Sequence, residues 1–343
     1  MSMQRTIVTL AEAQAPFFVG VDVGGTNIKL GLVDDLGRTL VYRKIPTQSG
    51  DGAEEATRRI GQNVREMVAE AGLTLPYIAR VGLGTPGSMN VGTGLLINPH
   101  NLPGWHDFPI RDKLNRHAGL PVTYANDANA AAYGEFWVGS GRDFHSLVLL
   151  TLGTGVGCGI IIGDLTIVGE HSHGAESGHM IIDCREDARP CGCGGRGHLE
   201  SYASATAVVK RTAEGLAAGR NSSLAKRIEQ GAALTPLLVA EEAERGDNFA
   251  LEIVMDTARY LGVGIVSLMH TIDPSGVLLG GAMTFGGHQS ELGRRFLARV
   301  QEEVRQRALP VPAAETVIEF ASLGADAGYI GAAGMARLEY RRK

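Results

Sequence analysis

Apolar residues run almost unbroken through Phe17-Phe-Val-Gly-Val-Asp-Val23 and again through Ile28-Lys-Leu-Gly-Leu-Val-Asp34. This pattern predicts two short strands. Between them, Gly24-Gly25-Thr26-Asn27 is rich in residues that tolerate the positive φ of a tight turn. A helical period follows over 53–71, with Ala56, Ile60, Val64, Met67, Val68 and Ala71 on one face and Gly72 beyond its end. Next come a strand near Arg80–Leu83, a long Gly/Pro/Asn loop through Trp105, and a strand at Val122–Tyr124 that runs into a helix over Ala128–Trp137. Ala250–Thr271 is apolar nearly all round and predicts a buried helix, stopped by Asp273-Pro274. Val277–Leu279 reads as a strand that empties into Gly280-Gly281. The Ala/Gly-rich stretch Asp326–Leu338 predicts a helix able to approach a neighbour closely.

The pattern also repeats. Leu149–Leu152, Gly153-Thr154-Gly155-Val156-Gly157 and Ile160–Gly163 restate the first strand, glycine turn and second strand 129 positions downstream. Such self-similarity argues for a duplicated α/β fold, although any two glycine-turn hairpins look alike. On this reading an N-terminal α/β domain covers 1–137 and a C-terminal α/β domain covers 138–325. The helix over 326–343 returns to pack on the first.

Composition sharpens the picture. Of 343 residues, 47 are glycine, clustered and without a three-residue period, so a collagen-like chain is excluded. A 44% hydrophobic content with 20% charged residues excludes wholesale disorder. The formal charge is −5 and basic residues cluster only in doublets and in the short run Arg341-Arg342-Lys343, so no nucleic-acid partner is expected. The apolar stretch Leu147–Ile162 is interrupted by glycines and threonines, so no membrane span is expected either. No signal peptide is evident, and a cytoplasmic location is the expectation.

Three sets of residues then suggest chemistry. Asp22 followed by Gly24, Gly25, Thr26 and Asn27 can present backbone N–H groups to an anion, with Asp22 placed to hold water on magnesium; an ordinary hairpin is the bland alternative. Gly153, Thr154 and Gly155 form a second such nest, and two opposed nests can grip a chain of phosphates. Gly280-Gly281 offers a third glycine surface, suited to a nucleoside. None of these fits the dinucleotide or P-loop fingerprints. Asn126-Asp127 opens a helix, where either residue could serve as N-cap. Negative charge is favoured there, and such a carboxylate can also act as a general base toward a hydroxyl attacking phosphorus. Glu176, His179, Cys191, Cys193, His198 and Glu200 fall within 25 residues, a density that suggests tetrahedral zinc or else surface cysteines in a glycine-rich loop. Cys158 is read as a packed residue and Cys184 as a bystander.

Taken in order, Asp22-Val-Gly-Gly-Thr26, Asn126-Asp-Ala-Asn129, Leu152-Gly-Thr-Gly-Val156, Gly178-His179 and Cys191-Gly-Cys-Gly-Gly195 resemble the ROK family of bacterial repressors and sugar kinases, from about Phe18 to Met335. The resemblance implies a duplicated ribonuclease H-like (actin-like ATPase) fold, two domains around a cleft that holds ATP and sugar. It implies ATP, Mg2+ and a structural Zn2+, with Asp127 as catalytic base. It further implies Asn101, Asn126, Asp127, Glu176, His179 and Glu200 as sugar-binding residues and His179, Cys191 and Cys193 as zinc ligands. The family's fourth ligand is a cysteine where this chain has His198, so a His2Cys2 site is expected, with Cys184 in reserve. Lys often follows the Thr of the family's first glycine turn. Here Asn27 stands there, and Lys29 lies two residues on. The segment around Asn101 and Tyr133–Trp137 is similar to the glucokinase branch, which implies phosphorylation of the glucose 6-hydroxyl. N-acetylglucosamine or N-acetylmannosamine kinase is the alternative. A repressor is less favoured because the segment ahead of the first strand is too short for a helix-turn-helix domain. A homodimer or higher homo-oligomer is expected.

Overall fold

A computed structural model describes residues 6–99 and 101–342. Residues 1–5 and 343, the outer ends of the expected first domain and terminal helix, and residue 100 lie outside the described residues. The strands are β1 Phe17–Val23, β2 Asn27–Val33, β3 Thr39–Pro46, β4 Ile78–Thr85, β5 Ser88–Asn90, β6 Leu95–Asn98, β7 Val122–Asn126, β8 Ser146–Leu152, β9 Val156–Ile162, β10 Leu165–Thr166, β11 Gly276–Gly281 and β12 Val317–Phe320. The helices are α1 Ala53–Glu70, α2 Ile110–Ala118, α3 Asp127–Val138, α4 Glu200–Ala203, α5 Ala205–Ala217, α6 Ser223–Glu229, α7 Pro236–Glu244, α8 Asn248–Ile272, α9 Glu291–Arg307, α10 Pro310–Glu315 and α11 Ala327–Arg341.

The described residues fall into two compact units. One takes in Met1–Phe144, Gly159–Ala175 and Ser322–Lys343; the other takes in His145–Cys158 and Glu176–Ala321. Residues 159–175 thus group with the first unit, and the division is not a single cut near residue 138.

Two sheets explain the repeat in the sequence. The first has the order β3-β2-β1-β4-β7 and the second β10-β9-β8-β11-β12. In the first, β2 is antiparallel to β1 and β3, while β4 is parallel to β1 and β7. In the second, β10 is antiparallel to β9, and β11 is parallel to β8 and β12. Strand for strand the second order restates the first, so the glycine-turn hairpins are equivalent parts of a duplicated fold.

Alternation along β1 sets the core of the first unit. Phe17, Val19, Val21 and Val23 join Ile60, Val64 and Met67 of α1 in one apolar cluster. Phe18 points the other way and packs with Tyr329, Ile330 and Ala333 of α11. That second contact is very close. Gly20 of β1 and its parallel neighbour Gly82 of β4 lie so near the carbonyls of Tyr329 and Ala332 that neither position has room for a Cβ. Gly331 is likewise pressed against the Ala130 carbonyl of α3. Gly331→Ala should therefore push α11 off α3 and cost about 1–3 kcal/mol by overpacking. The expected readout is a lower melting temperature; an unchanged melt would contradict the close approach.

Several elements escaped the sequence pattern. The region read as one long loop contains the β5–β6 ribbon, whose Met89 and Leu96 are buried at 1% and 0% exposure. Strands of three and four residues are too short to establish a period. Strand β3 and helix α2 also went unread, as did α5, α6, α7 and α9.

Candidate active site

In the first unit, the turn after β1 is held at both ends. Gly24 N–H donates to the Asn27 carbonyl at 3.0 Å, and Thr47, just past β3, donates from its backbone N to Thr26 O at 2.9 Å. The Thr47 hydroxyl reaches Gly24 O at 2.6 Å. Gly25 lies against the backbone of Asn101, so the structure brings that predicted sugar residue beside the turn. Leu102 and Trp105, both fully buried, pin the segment and leave Asn101 exposed.

Asp22 ends its run of apolar neighbours partly covered. Burial pushes its carboxyl up from the ordinary value, and the charge of Lys29 pulls it back. Lys29 Nζ sits 3.4 Å from Asp22 Oδ2 and donates to Ala325 O at 2.9 Å. The lysine is therefore tied to the carboxylate and to the chain just ahead of α11. Gly328 of α11 packs on the same carboxyl, at 2.5 Å from Cγ for an added Cβ.

Asn126 and Asp127 divide the work that the sequence left open. Asn126 is the N-cap of α3: its Oδ1 accepts from the backbone N of Ala128 at 2.9 Å and of Asn129 at 3.3 Å. Asp127 occupies the first helical position, half-buried, with Oδ1 accepting from Ala128 N at 2.9 Å. The cap of α3 is therefore Asn126, and Asp127 holds the first helical position.

In the second unit, Gly153 N donates to Gly155 O at 3.0 Å, closing the turn after β8. Two contacts that sequence reasoning missed hold it from outside. Ala205 N, at the start of α5, donates to Gly153 O at 2.9 Å, and the Thr206 hydroxyl donates to Thr154 O at 2.8 Å. The N-cap Ser204, whose side chain accepts from Ala207 N, was the available signal. Gly280 and Gly281 lie beside this turn: they pair with Thr151 and Leu152 at the end of β8. Gly281 has φ +92° and no room for a side chain beside Leu152.

The four residues His179, Cys191, Cys193 and His198 converge, with one ligand atom from each lying within 4.8 Å of the others. Cys191 Sγ is 3.9 Å from His179 Nδ1, and Cys193 Sγ is 3.3 Å from His198 Nδ1. Two thiols and two imidazoles in this arrangement fit a tetrahedral zinc ion. Exposed Cys184 is not part of the group, and burial pushes the Cys158 thiol up to about 12, as befits an inert packed residue. The loop folds on itself through Cys191 N to Gly195 O at 2.8 Å and Leu199 N to Met180 O at 2.9 Å. Gly178, packed on the Val156 carbonyl, fixes the turn that carries His179. Glu200 links this loop to the glycine turn: Oε2 accepts from Val156 N at 3.0 Å, while Oε1 lies 3.9 Å from Cys191 Sγ. Glu176 is exposed and precedes the His179 turn, which closes through His179 N to Glu176 O at 3.0 Å.

Known proteins carry the same organisation. The sequence model of the ROK family matches residues 18–339. A glucokinase of Halalkalibacterium halodurans is 36% identical over 315 residues, covering 92% of this chain and 93% of that protein. Among solved structures, a ROK hexokinase from Thermus thermophilus superposes with a TM-score of 0.80 at 31% identity, covering 95% of this chain and 100% of that one. A ROK family glucokinase from Streptomyces griseus, solved in complex with glucose and AMPPNP, gives 0.75 at 33% identity, covering 94% and 99%.

Proposed function

The chain belongs to the ROK family, and from that premise we propose that it is an ATP-dependent glucokinase, moving the γ-phosphoryl group of ATP to the 6-hydroxyl of glucose. The observation that carries this reading is the kinship with glucokinases along nearly the whole chain, in a protein whose Asp127 stands at a helix start already capped by Asn126.

In the proposed reaction Asp127 accepts the proton of the 6-hydroxyl as that oxygen attacks the γ-phosphorus. The new O–P bond forms as the bond to the β-phosphate oxygen breaks, and ADP leaves. Backbone N–H groups of Gly25, Thr26 and Asn27, and of Thr154 and Gly155, are proposed to donate to phosphate oxygens, while Gly24 and Gly153 close their own turns. Gly280 and Gly281 would border the nucleoside, since their bare backbone admits a flat group closely. Asp22 would hold a water of a magnesium ion, which when bound neutralises phosphate charge. Its desolvated carboxyl supports that role. Asn101, Asn126, Glu176, His179 and Glu200 are proposed to bind sugar hydroxyls. A zinc ion held by His179, Cys191, Cys193 and His198 would fix the loop. With Nδ1 of His179 turned toward Cys191, Nε2 is the nitrogen left for a hydroxyl.

A coupled ADP-release assay over glucose, N-acetylglucosamine, N-acetylmannosamine, mannose and fructose tests the proposal. The highest kcat/KM is expected for glucose; a preference for a 2-acetamido sugar would reassign the substrate. Self-association as a homodimer or larger homo-oligomer, measurable by light scattering, belongs to the same proposal, as does a cytoplasmic location. Among the described residues no helix is long and apolar enough to cross a membrane.

A further inference from the structure

Away from every residue assigned above, the first unit contains a pocket of about 580 Å³, within the range typical of small-molecule sites. Its walls come from the outer edge of β7 (Pro121–Tyr124), the last turns of α11, the β5–β6 turn and the segment around β10. Each of these walls contributes apolar side chains: Val91, Val122, Leu165, Val168, Met335 and Leu338. The rest is cationic, because Arg80, Arg111 and Arg342 all line it against only two carboxylates, Glu339 and Asp164.

Hydrogen-bonding capacity remains in this lining. Arg80 is only 8% exposed; its Nε donates to Thr123 Oγ1 at 2.8 Å and its Nη2 to Glu339 Oε1 at 2.6 Å. The other Glu339 oxygen accepts from Thr123 Oγ1 at 2.6 Å, so this carboxylate is engaged at both oxygens. Arg80 Nη1 is left without a protein partner among the described residues. Arg342 donates Nη2 to the Asp164 carbonyl at 2.8 Å and makes no ion pair among the described residues. The Thr166 hydroxyl is buried in the wall with no hydrogen-bond partner. Arg111, by contrast, is spent on the carbonyls of Val91, Gly92 and Thr93 and holds that turn in place. A buried guanidinium with a spare donor, a second guanidinium without an ion pair and a hydroxyl without a hydrogen-bond partner line one pocket together with apolar side chains, a lining that suits an anion with an apolar body.

We propose that this pocket is a second ligand site, which takes a small organic anion through one phosphate or carboxylate group held by Arg80, Arg342 and Thr166. The body of the ligand rests on the Leu165, Val168 and Leu338 wall. The site does not depend on the kinase assignment, since none of its residues belongs to that machinery.

Phenyl phosphate is a suitable probe, titrated into the intact protein and followed by 31P NMR, with inorganic phosphate read in the same way and benzoate and phenol read as competitors that displace bound phenyl phosphate. Saturable binding of phenyl phosphate is expected, several-fold tighter than inorganic phosphate and far tighter than phenol, since both the anion and the apolar wall are needed; tighter binding of benzoate would assign the head group as carboxylate. Arg342→Glu should weaken binding about tenfold or more, and Thr166→Val about two- to tenfold. Both substitutions are expected to leave the fold and the turnover intact, since neither residue belongs to the proposed kinase machinery, and melting curves and the ADP-release assay would verify this. Absence of saturable binding of either probe to the parent protein would overturn the proposal, as would affinity unchanged in both variants, which would put the ligand elsewhere.

Discussion

Asp127→Asn is expected to lower kcat by about 10²–10⁴-fold, the typical worth of a positioned general base. The KM for sugar should change little. The substitution isolates chemistry from folding for a reason visible in α3. Asn126 supplies the cap through its bonds to Ala128 N and Asn129 N, and an asparagine at 127 keeps an Oδ1 able to accept from Ala128 N as the aspartate does. What the variant loses is the capacity to take a proton. If the loss were structural instead, melting temperature and sugar affinity would fall with turnover. Near-normal kcat in a well-folded variant would remove Asp127 from the mechanism. An Asn126→Ala variant supplies the contrast, since removal of a cap costs about 1 kcal/mol of stability. It should lower the melting temperature where Asp127→Asn does not.

The ambiguity between cap and base illustrates what the sequence alone could carry. Both residue types are good caps, so the pair 126–127 could not be resolved until the hydrogen bonds assigned the cap to Asn126. The duplicated architecture was legible because it is encoded locally, in two strand–glycine–strand segments whose period survives in the order of both sheets. The convergence of His179, Cys191, Cys193 and His198 was legible for the same reason: the four residues lie close in sequence, and the loop has only to close on itself. Contacts made at long range were not legible. Nothing near Gly153 announces that α5, fifty residues on, will hold its turn through Ala205 and Thr206. The tie of Lys29 to Asp22 and Ala325 also spans the chain, and the sequence left open whether Lys29 serves phosphates. Glycine content alone does not separate turn glycines from those that admit a helix: Gly20, Gly82 and Gly331 serve close helix packing.

His198→Ala should remove most of the bound zinc and raise the KM for glucose about five- to tenfold, the worth of one well-placed hydrogen bond. The two effects are joined by the loop. His198 is the proposed ligand that stands where the family resemblance implies cysteine, and its Nδ1 faces Cys193 Sγ at 3.3 Å. With that ligand gone, the segment carrying Cys191 and Cys193 keeps its backbone bonds and the bond from Arg196 to Ala188 O, but His179 loses the metal proposed to fix its ring. The disturbance also has a route to the nucleotide side, because Glu200 touches Cys191 and holds Val156 N at the end of the glycine turn. KM for ATP should therefore rise as well, by less than that for sugar. His198→Cys restores the family's ligand and should keep both zinc and affinity. Cobalt substitution then separates the parent from this variant, with thiolate-to-cobalt absorption rising from two sulfurs to three. Elemental analysis of the parent protein decides the premise: a chain purified without chelators that carries no zinc would leave His198 as a loop residue, and His198→Ala would then have no metal to lose.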